Sequence, residues 1–203
     1  VVVTATRREE SIQDVALSIQ AFSADNLTAA QITESADLAD YMPGFSYANA
    51  IGSGSGTGVR GVAGATIGAG TTASVQMSVN GHGINGSAFG EIGFLDVERV
   101  EVLAGPQGTL FGRNAVAGVV NLVTARPTEE AGGYANFEMG NYGSERISTA
   151  VNIPFGDNVR TRLAYSSFQK DGWIKNLGTG NDIDGRDAYA VRLSVDIDLP
   201  NES

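Results

Sequence analysis

Few side chains in this sequence are of types that do chemistry, and their spacing argues against most of what they could do. His82 is the only histidine among 203 residues, and there is no cysteine. A zinc site needs several nitrogen, sulfur or carboxylate ligands converging on one ion. Asn80 and Asn85 are poor ligands, so no metal site is expected, and His82 is kept as a loop residue that could touch a ligand. No serine has a His and Asp set to activate it, because the one histidine sits in Gly81-His82-Gly83 with no nucleophile-elbow motif.

Three further groups invite a chemical reading. Gly52-Ser53-Gly54-Ser55-Gly56-Thr57-Gly58 could cradle a phosphate through its backbone N–H groups. No Gly-Lys-Ser/Thr follows and no long helix opens there, so it reads as a flexible or ligand-facing loop. Glu91, Asp96, Glu98 and Glu101 could pair for acid–base work. With Arg99 among them on a regular strand edge, they read as salt-bridged structure. Asn181-Asp182-Ile183-Asp184-Gly185 with Asp187 has the flavour of a calcium loop, but lacks the spacing and closing Glu of an EF-hand. No catalytic group is assembled, so neither an enzyme nor a cofactor is expected.

The totals narrow the field further. The net charge is −10, from 23 acidic and 13 basic residues, and no stretch forms a basic patch that would neutralise phosphates. Nucleic-acid binding is therefore excluded. No run of about 18 apolar residues is present, so no transmembrane helix is expected. Val1 to Thr6 leads straight into Arg7-Arg8-Glu9-Glu10, unlike a signal peptide, which fits either a cytosolic chain or a mature, processed one. Twenty-seven glycines point to turns and close backbone approaches rather than long helices.

The elements that must carry these residues fall into two textures. Residues 17–23 alternate apolar and polar side chains and read as a strand. Ser23 caps a short helix reaching about Gln31, with Asp25 in its first turn. A second helix starts near Ser35, places Leu38, Tyr41 and Met42 on one face, and stops at Pro43-Gly44. Residues 48–58 and 64–74 read as loops, with a short strand at Val59-Arg60-Gly61-Val62 between them. Residues 75–80 form a strand turned by Gly81-His82-Gly83, residues 91–95 a helical turn, and residues 97–103 and 119–124 two more strands. Gly105 to Gly112 reads as a close-packed turn. After Pro127, residues 133–140, 145–153, 159–170 and 186–198 alternate with period two over lengths that cross a bilayer at a tilt. Short connections at Asn141-Tyr142-Gly143 and 154–158 contrast with the long polar segment 171–185. Four strands cannot close a barrel, so the chain is expected to be the N-terminal fragment of a longer one.

The residues between Asp96 and Pro127 carry a family resemblance. Asp96-Val97-Glu98-Arg99-Val100-Glu101-Val102, Gly105-Pro106-Gln107-Gly108-Thr109-Leu110-Phe111-Gly112-Arg113-Asn114-Ala115 and Gly118-Val119-Val120-Asn121-Leu122-Val123-Thr124-Ala125-Arg126-Pro127 resemble the plug signature of TonB-dependent outer-membrane receptors. Val59-Arg60-Gly61, the strand ending in Asn80-Gly81, and Met42-Pro43-Gly44 resemble further family elements. Ala104 stands where Arg is common in the family.

The resemblance implies an α+β plug domain over residues 1–127, a small mixed sheet with short helices and long Gly-rich loops. Antiparallel β-strands of an incomplete outer-membrane β-barrel follow over residues 128–203. It implies that Val1, Val2, Val3, Thr4 and Ala5 form the coupling segment that pairs by strand addition with the periplasmic TonB protein. It also implies contacts with the barrel wall from Arg60, Arg99, Glu101 and Arg113. Ser53, Ser55, Thr57, His82, Asn85 and Phe89 are the expected ligand-facing loop residues. The expected function is energy-coupled uptake of a scarce nutrient across the outer membrane, with outer-membrane lipid around the barrel and a ferric siderophore as the default substrate. The alternative is a plug-only soluble periplasmic module for binding or signalling.

Overall fold

The computed structural model describes residues 2–3, 10–11, 13, 18–50, 54–65, 73–84, 93–112, 114–156, 158–178, 180 and 182–199. It divides between Thr124 and Ala125 into two compact units, each with its own sheets.

In the first unit, β1 (Val2–Val3) pairs antiparallel with β2 (Glu10–Ser11). Then come β3 (Ser18–Ser23), α1 (Ala24–Ala29) and α2 (Leu38–Tyr41). As the sequence predicts, Ser23 caps α1, its side chain accepting from the Asn26 N–H at 3.3 Å. The second helix is only one turn long. Asp37 gathers the N–H groups of Thr33 and Glu34 at 2.7 and 3.0 Å in the bend before it.

β4 (Phe45–Ala50), β5 (Gly54–Val59) and β6 (Val62–Ala65) form a three-stranded antiparallel sheet. This corrects two sequence expectations. Much of the stretch read as a glycine loop is a strand pair, and Val59-Arg60-Gly61-Val62 is the turn joining β5 to β6. Arg60 and Gly61 have φ of 54° and 78°, the paired positive values of a type I′ hairpin turn. Glycine serves packing here: a Cβ on Gly58 would lie 2.5 Å from Ser46 Oγ and 2.9 Å from Ala63 Cβ.

The main sheet contains β7 (Val75–Val79), β8 (His82–Ile84), β9 (Val97–Ala104) and β10 (Gly118–Thr124) together with β3, in the order β3-β9-β10-β7-β8. Only β10 and β7 run parallel. Asn80 and Gly81, at φ 51° and 77°, form the turn, so His82 and Gly83 belong to a strand rather than to the turn expected of them. Gly93 to Leu95 is not helical, while Glu91 and Ile92 lie outside the described residues. A one-turn helix, α3 (Gly108–Phe111), occupies the predicted close-packed turn. Every residue of β10 is buried, which explains its nearly unbroken apolar sequence. One face of the sheet packs Val75, Met77, Val100, Val102, Val120 and Leu122 with Leu27 and Leu38 of the helices. On the other, Leu103 and Val119 pack with Val3 and Ala115.

The second unit is one antiparallel meander, β11 (Gly132–Met139), β12 (Glu145–Phe155), β13 (Val159–Lys170) and β14 (Arg186–Ile197), in sequence order. Strict period-two alternation sorts its side chains. Leu163, Val191, Leu193, Val195 and Ile197 lie on an exposed apolar face, while Arg162, Ala164 and Ser166 lie on the opposite, polar face and are buried. The sheet is open, with β11 and β14 at its edges.

Candidate functional site

The first unit contains a row of polar side chains where an apolar core would be expected. Register places Glu101 of β9 opposite Asn121 of β10, and Asn121 opposite Ser78 of β7. All three are buried, Glu101 completely. Asn121 Nδ2 donates to Glu101 Oε2 at 3.2 Å, while its Oδ1 accepts from Ser78 Oγ at 3.0 Å and from the Gly81 N–H at 2.9 Å. Arg99 Nε donates to Glu101 at 2.8 Å, and its guanidinium also pairs with Glu98. A buried carboxylate is tolerated only when charge and hydrogen bonds compensate its lost hydration. At the end of the same strands, Asn80 Oδ1 accepts from the Thr124 N–H at 3.0 Å and Asn80 Nδ2 donates to Thr124 Oγ1 at 3.0 Å, pinning the β7–β8 turn to β10. The salt-bridged reading of Glu98, Arg99 and Glu101 therefore has its geometry. The sequence alone assigns Asn121, Ser78 and Asn80 no part in this row, although a lone Asn inside Gly118-Val119-Val120-Asn121-Leu122-Val123-Thr124 is a signal that points to Asn121.

Val2 and Val3 pair with Ser11 and Glu10, and the Val3 side chain is 1% exposed, packed with Leu103, Ala115 and Val119. Val1, Thr4 and Ala5 lie outside the described residues, as do Ser53, Asn85, Phe89 and Arg113. Of Ser55 only the backbone is described, in β5. Thr57 of the same strand is buried. Arg60 is exposed at its hairpin turn, where its N–H donates to Gly44 O at 2.7 Å. His82 is exposed, its Nδ1 3.1 Å from Asn80 O. Among the described residues, no three His, Asp or Glu side chains come together to hold a metal ion.

In the second unit the polar face carries most of the cations. Arg160 stands opposite Asp196 and forks onto the Asp198 carboxylate with two bonds of 2.7 Å. These hydrogen bonds hold Asp198, just past the end of β14, below the usual carboxylate range. At the other end of the sheet, Lys170 stands opposite Arg186, and the Arg146 guanidinium lies 4.3 Å from the centre of the Phe168 ring. The connection between β13 and β14 closes on itself through paired Ile174 and Ile183, with Trp173 Nε1 donating to Asp184.

A family model described as the TonB-dependent receptor plug domain matches residues 11–119. The chain belongs to that family. The vitamin B12 transporter BtuB of Vibrio vulnificus (strain CMCP6) is 28% identical over 187 residues, covering 89% of this chain and 30% of the relative. The ferric enterobactin receptor of Pseudomonas aeruginosa is 35% identical over 101 residues, covering 45% of this chain and 13% of the relative. The crystal structure of the ferric yersiniabactin uptake receptor FyuA from Yersinia pestis matches with a TM-score of 0.80 at 28% identity, over 88% of this chain and 28% of that one. The chain thus spans less than a third of the length of these relatives.

Membership in the plug family puts the protein among outer-membrane receptors rather than enzymes. The fold agrees with it: a mixed sheet with few short helices, then antiparallel strands not closed into a barrel. No helix among the described residues is long and apolar enough to cross a membrane, and the second unit offers strands of 8 to 12 residues.

Proposed function

We propose that this chain is the N-terminal part of an energy-coupled transporter that imports a ferric siderophore across the outer membrane. In this reading the domains divide as the sequence suggests, a plug over residues 1–127 and the first barrel strands over 128–203. The plug gates the pore, and the periplasmic TonB protein grips Val1, Val2, Val3, Thr4 and Ala5. The observation that carries it is a plug-family sheet followed by strands with one exposed apolar face and one polar face, the division a wall between lipid and a watery lumen requires. That exposed face also counts against a soluble periplasmic module, which would leave Val191, Leu193, Val195 and Ile197 in water.

The structure suggests how a pull on the N-terminus reaches the plug. Backbone groups on the extended segment give a partner strand its hydrogen bonds. Val3 sits against Leu103 and Val119 and pairs with Glu10, so displacing β1 would break the β1–β2 pair and open the packing on one face of β9 and β10. The wall contacts proposed for Arg60, Arg99, Glu101 and Arg113, and the ligand contacts proposed for Ser53, Ser55, Thr57, His82, Asn85 and Phe89, belong to the same reading. The test is deletion of residues 1–5 in the full-length receptor, scoring substrate binding and energised uptake separately. Binding should persist while uptake is lost. Unchanged uptake would sink the coupling assignment.

A further inference from the structure

Asn80-Gly81 and Asn85-Gly86 are the two Asn-Gly steps in the sequence. In a loose chain such a step is chemically unstable. No side chain on glycine shields its nitrogen, which attacks the asparagine amide before it. Asn85 and Gly86 lie outside the described residues, whereas Asn80 and Gly81 form the turn between β7 and β8.

Asn80 is exposed, so water reaches it, yet both reacting groups are held. The electrophile is the Asn80 side-chain amide. Its Oδ1 accepts from the Thr124 N–H at 3.0 Å and its Nδ2 donates to Thr124 Oγ1 at 3.0 Å, so both ends of the carboxamide are committed to β10. The nucleophile is the Gly81 nitrogen, whose N–H donates to Asn121 Oδ1 at 2.9 Å. That nitrogen attacks only after losing its proton, and the bond to Asn121 keeps the proton in place. The turn adds a third restraint. The φ values of 51° at Asn80 and 77° at Gly81 are those of a type I′ hairpin, with Val79 and His82 paired across it. Closing a five-membered ring through Asn80 requires its backbone to leave that conformation.

We propose that Asn80-Gly81 is a deamidation site, kept shut by the folded first unit and released when the β7–β8 turn parts from β10. Once freed, the Gly81 nitrogen gives up its proton to solvent and bonds to Asn80 Cγ. The Cγ–Nδ2 bond breaks, Nδ2 takes up a proton and leaves as ammonia, and a succinimide remains. Water then opens the ring at one of its two carbonyls. Attack at Cγ restores the original backbone and gives aspartate. Attack at the Asn80 carbonyl carbon routes the chain through Cγ and gives isoaspartate. No electrons change hands, and water is the co-reactant.

The two products act differently on the sheet. Aspartate keeps an acceptor for the Thr124 N–H, and Thr124 Oγ1 turns to donate to its second oxygen. Isoaspartate adds one carbon to a two-residue turn whose register Val79 and His82 fix, which draws the Gly81 N–H away from Asn121. Opening therefore leaves a permanent covalent mark. The chemistry depends on opening alone, whatever substrate or partner brings it about.

The test incubates the full-length receptor in lipid vesicles, either folded or in urea that opens the first unit. Tandem mass spectrometry follows Asn80 and Asn85 separately and tells aspartate from isoaspartate. Asn80 should keep its amide in the folded receptor and convert in urea at a rate like that of Asn85. Thr124→Val removes the acceptor of Asn80 Nδ2. It should speed conversion in the folded receptor by about fivefold, the worth of one such bond, and leave the rate in urea unchanged. Conversion of Asn80 as fast in the folded receptor as in urea would overturn the proposal. So would an Asn80 that stays intact in urea while Asn85 converts, or a folded Thr124→Val receptor that converts no faster than its parent. Should Thr124→Val fail to fold, the ratio of folded to urea rates in the parent protein decides alone.

Discussion

Asn121 faces Glu101 directly across the β9–β10 pair and donates to its fully buried carboxylate at 3.2 Å, while the other side of the same amide accepts from Ser78 and the Gly81 N–H. One side chain therefore joins three strands, β9, β10 and β7, and the turn beyond them. Asn121→Leu keeps the volume and removes all of these bonds. With about 1–3 kcal/mol at stake for each buried group deprived of a partner, the plug should lose about 2–4 kcal/mol. Amides of β7, β9 and β10 in the full-length receptor should then exchange with solvent roughly thirtyfold faster or more. Unchanged exchange would show that the row is incidental.

How legible this molecule was depended on the kind of signal each part gives. The sequence marks β13 at its observed bounds, Val159–Lys170, because alternating side chains betray a half-buried strand. The β4–β5 pair leaves no such signal, because Gly54, Gly56 and Gly58 supply no side chain to alternate and glycine disfavours strands on average. Only the third dimension shows that Gly58 must be small, with Ser46 and Ala63 pressed against it. The Glu101–Asn121–Ser78 row was invisible for a related reason. Its members are 20 and 43 residues apart, and a parallel pairing between β10 and β7 leaves no local trace in sequence. The plug signature was readable as a motif, but the roles of Arg60, Arg99 and Glu101 are not given by the motif alone.

Arg60 offers a direct way to separate turn chemistry from function. At φ 54° a residue with a long side chain sits in the left-handed region, at a cost of roughly 1–2 kcal/mol. Asn is preferred in the type I′ turn that Arg60 and Gly61 make. Arg60→Asn should therefore relieve about 0.5–1 kcal/mol of turn strain and leave the Gly44 carbonyl bond intact, and a higher denaturation midpoint in the full-length receptor would count against the wall contact proposed for Arg60. A lower midpoint would mean that the guanidinium makes a stabilising contact in the complete receptor.

The Arg160–Asp198 fork makes a pH-dependent prediction whose sign is fixed. Hydrogen bonds from Arg160 lower the Asp198 pKa in the folded state. The carboxylate thus stabilises the sheet above its unfolded value, about 3.9, and that contribution disappears as pH falls through the lower folded value. The melting temperature of Asp198→Asn should lie below that of the parent protein at pH 7, and the two should converge on acidification below about pH 4. The fork is exposed to solvent, so the gap should also narrow in high salt. A gap that stays constant from pH 7 to pH 2 would assign it to something other than this carboxylate.

The membrane assignment of the second unit makes opposite demands on neighbouring residues of β14. Leu193, 66% exposed near the middle of the strand, pairs with Leu163 on the apolar face, whereas Ala190 lies on the polar face opposite Ser166. If the apolar face meets lipid, Leu193→Arg places a charge near the bilayer midplane and should cost about 2–4 kcal/mol. Ala190→Ser, on the watery side, should change stability by no more than about 0.5 kcal/mol. Denaturant titration of the full-length receptor folded into lipid vesicles measures both. The contrast is the informative quantity, because a soluble sheet would accept arginine at an exposed leucine at least as readily as water accepts its surface. Equal tolerance at the two positions would therefore remove these strands from the membrane.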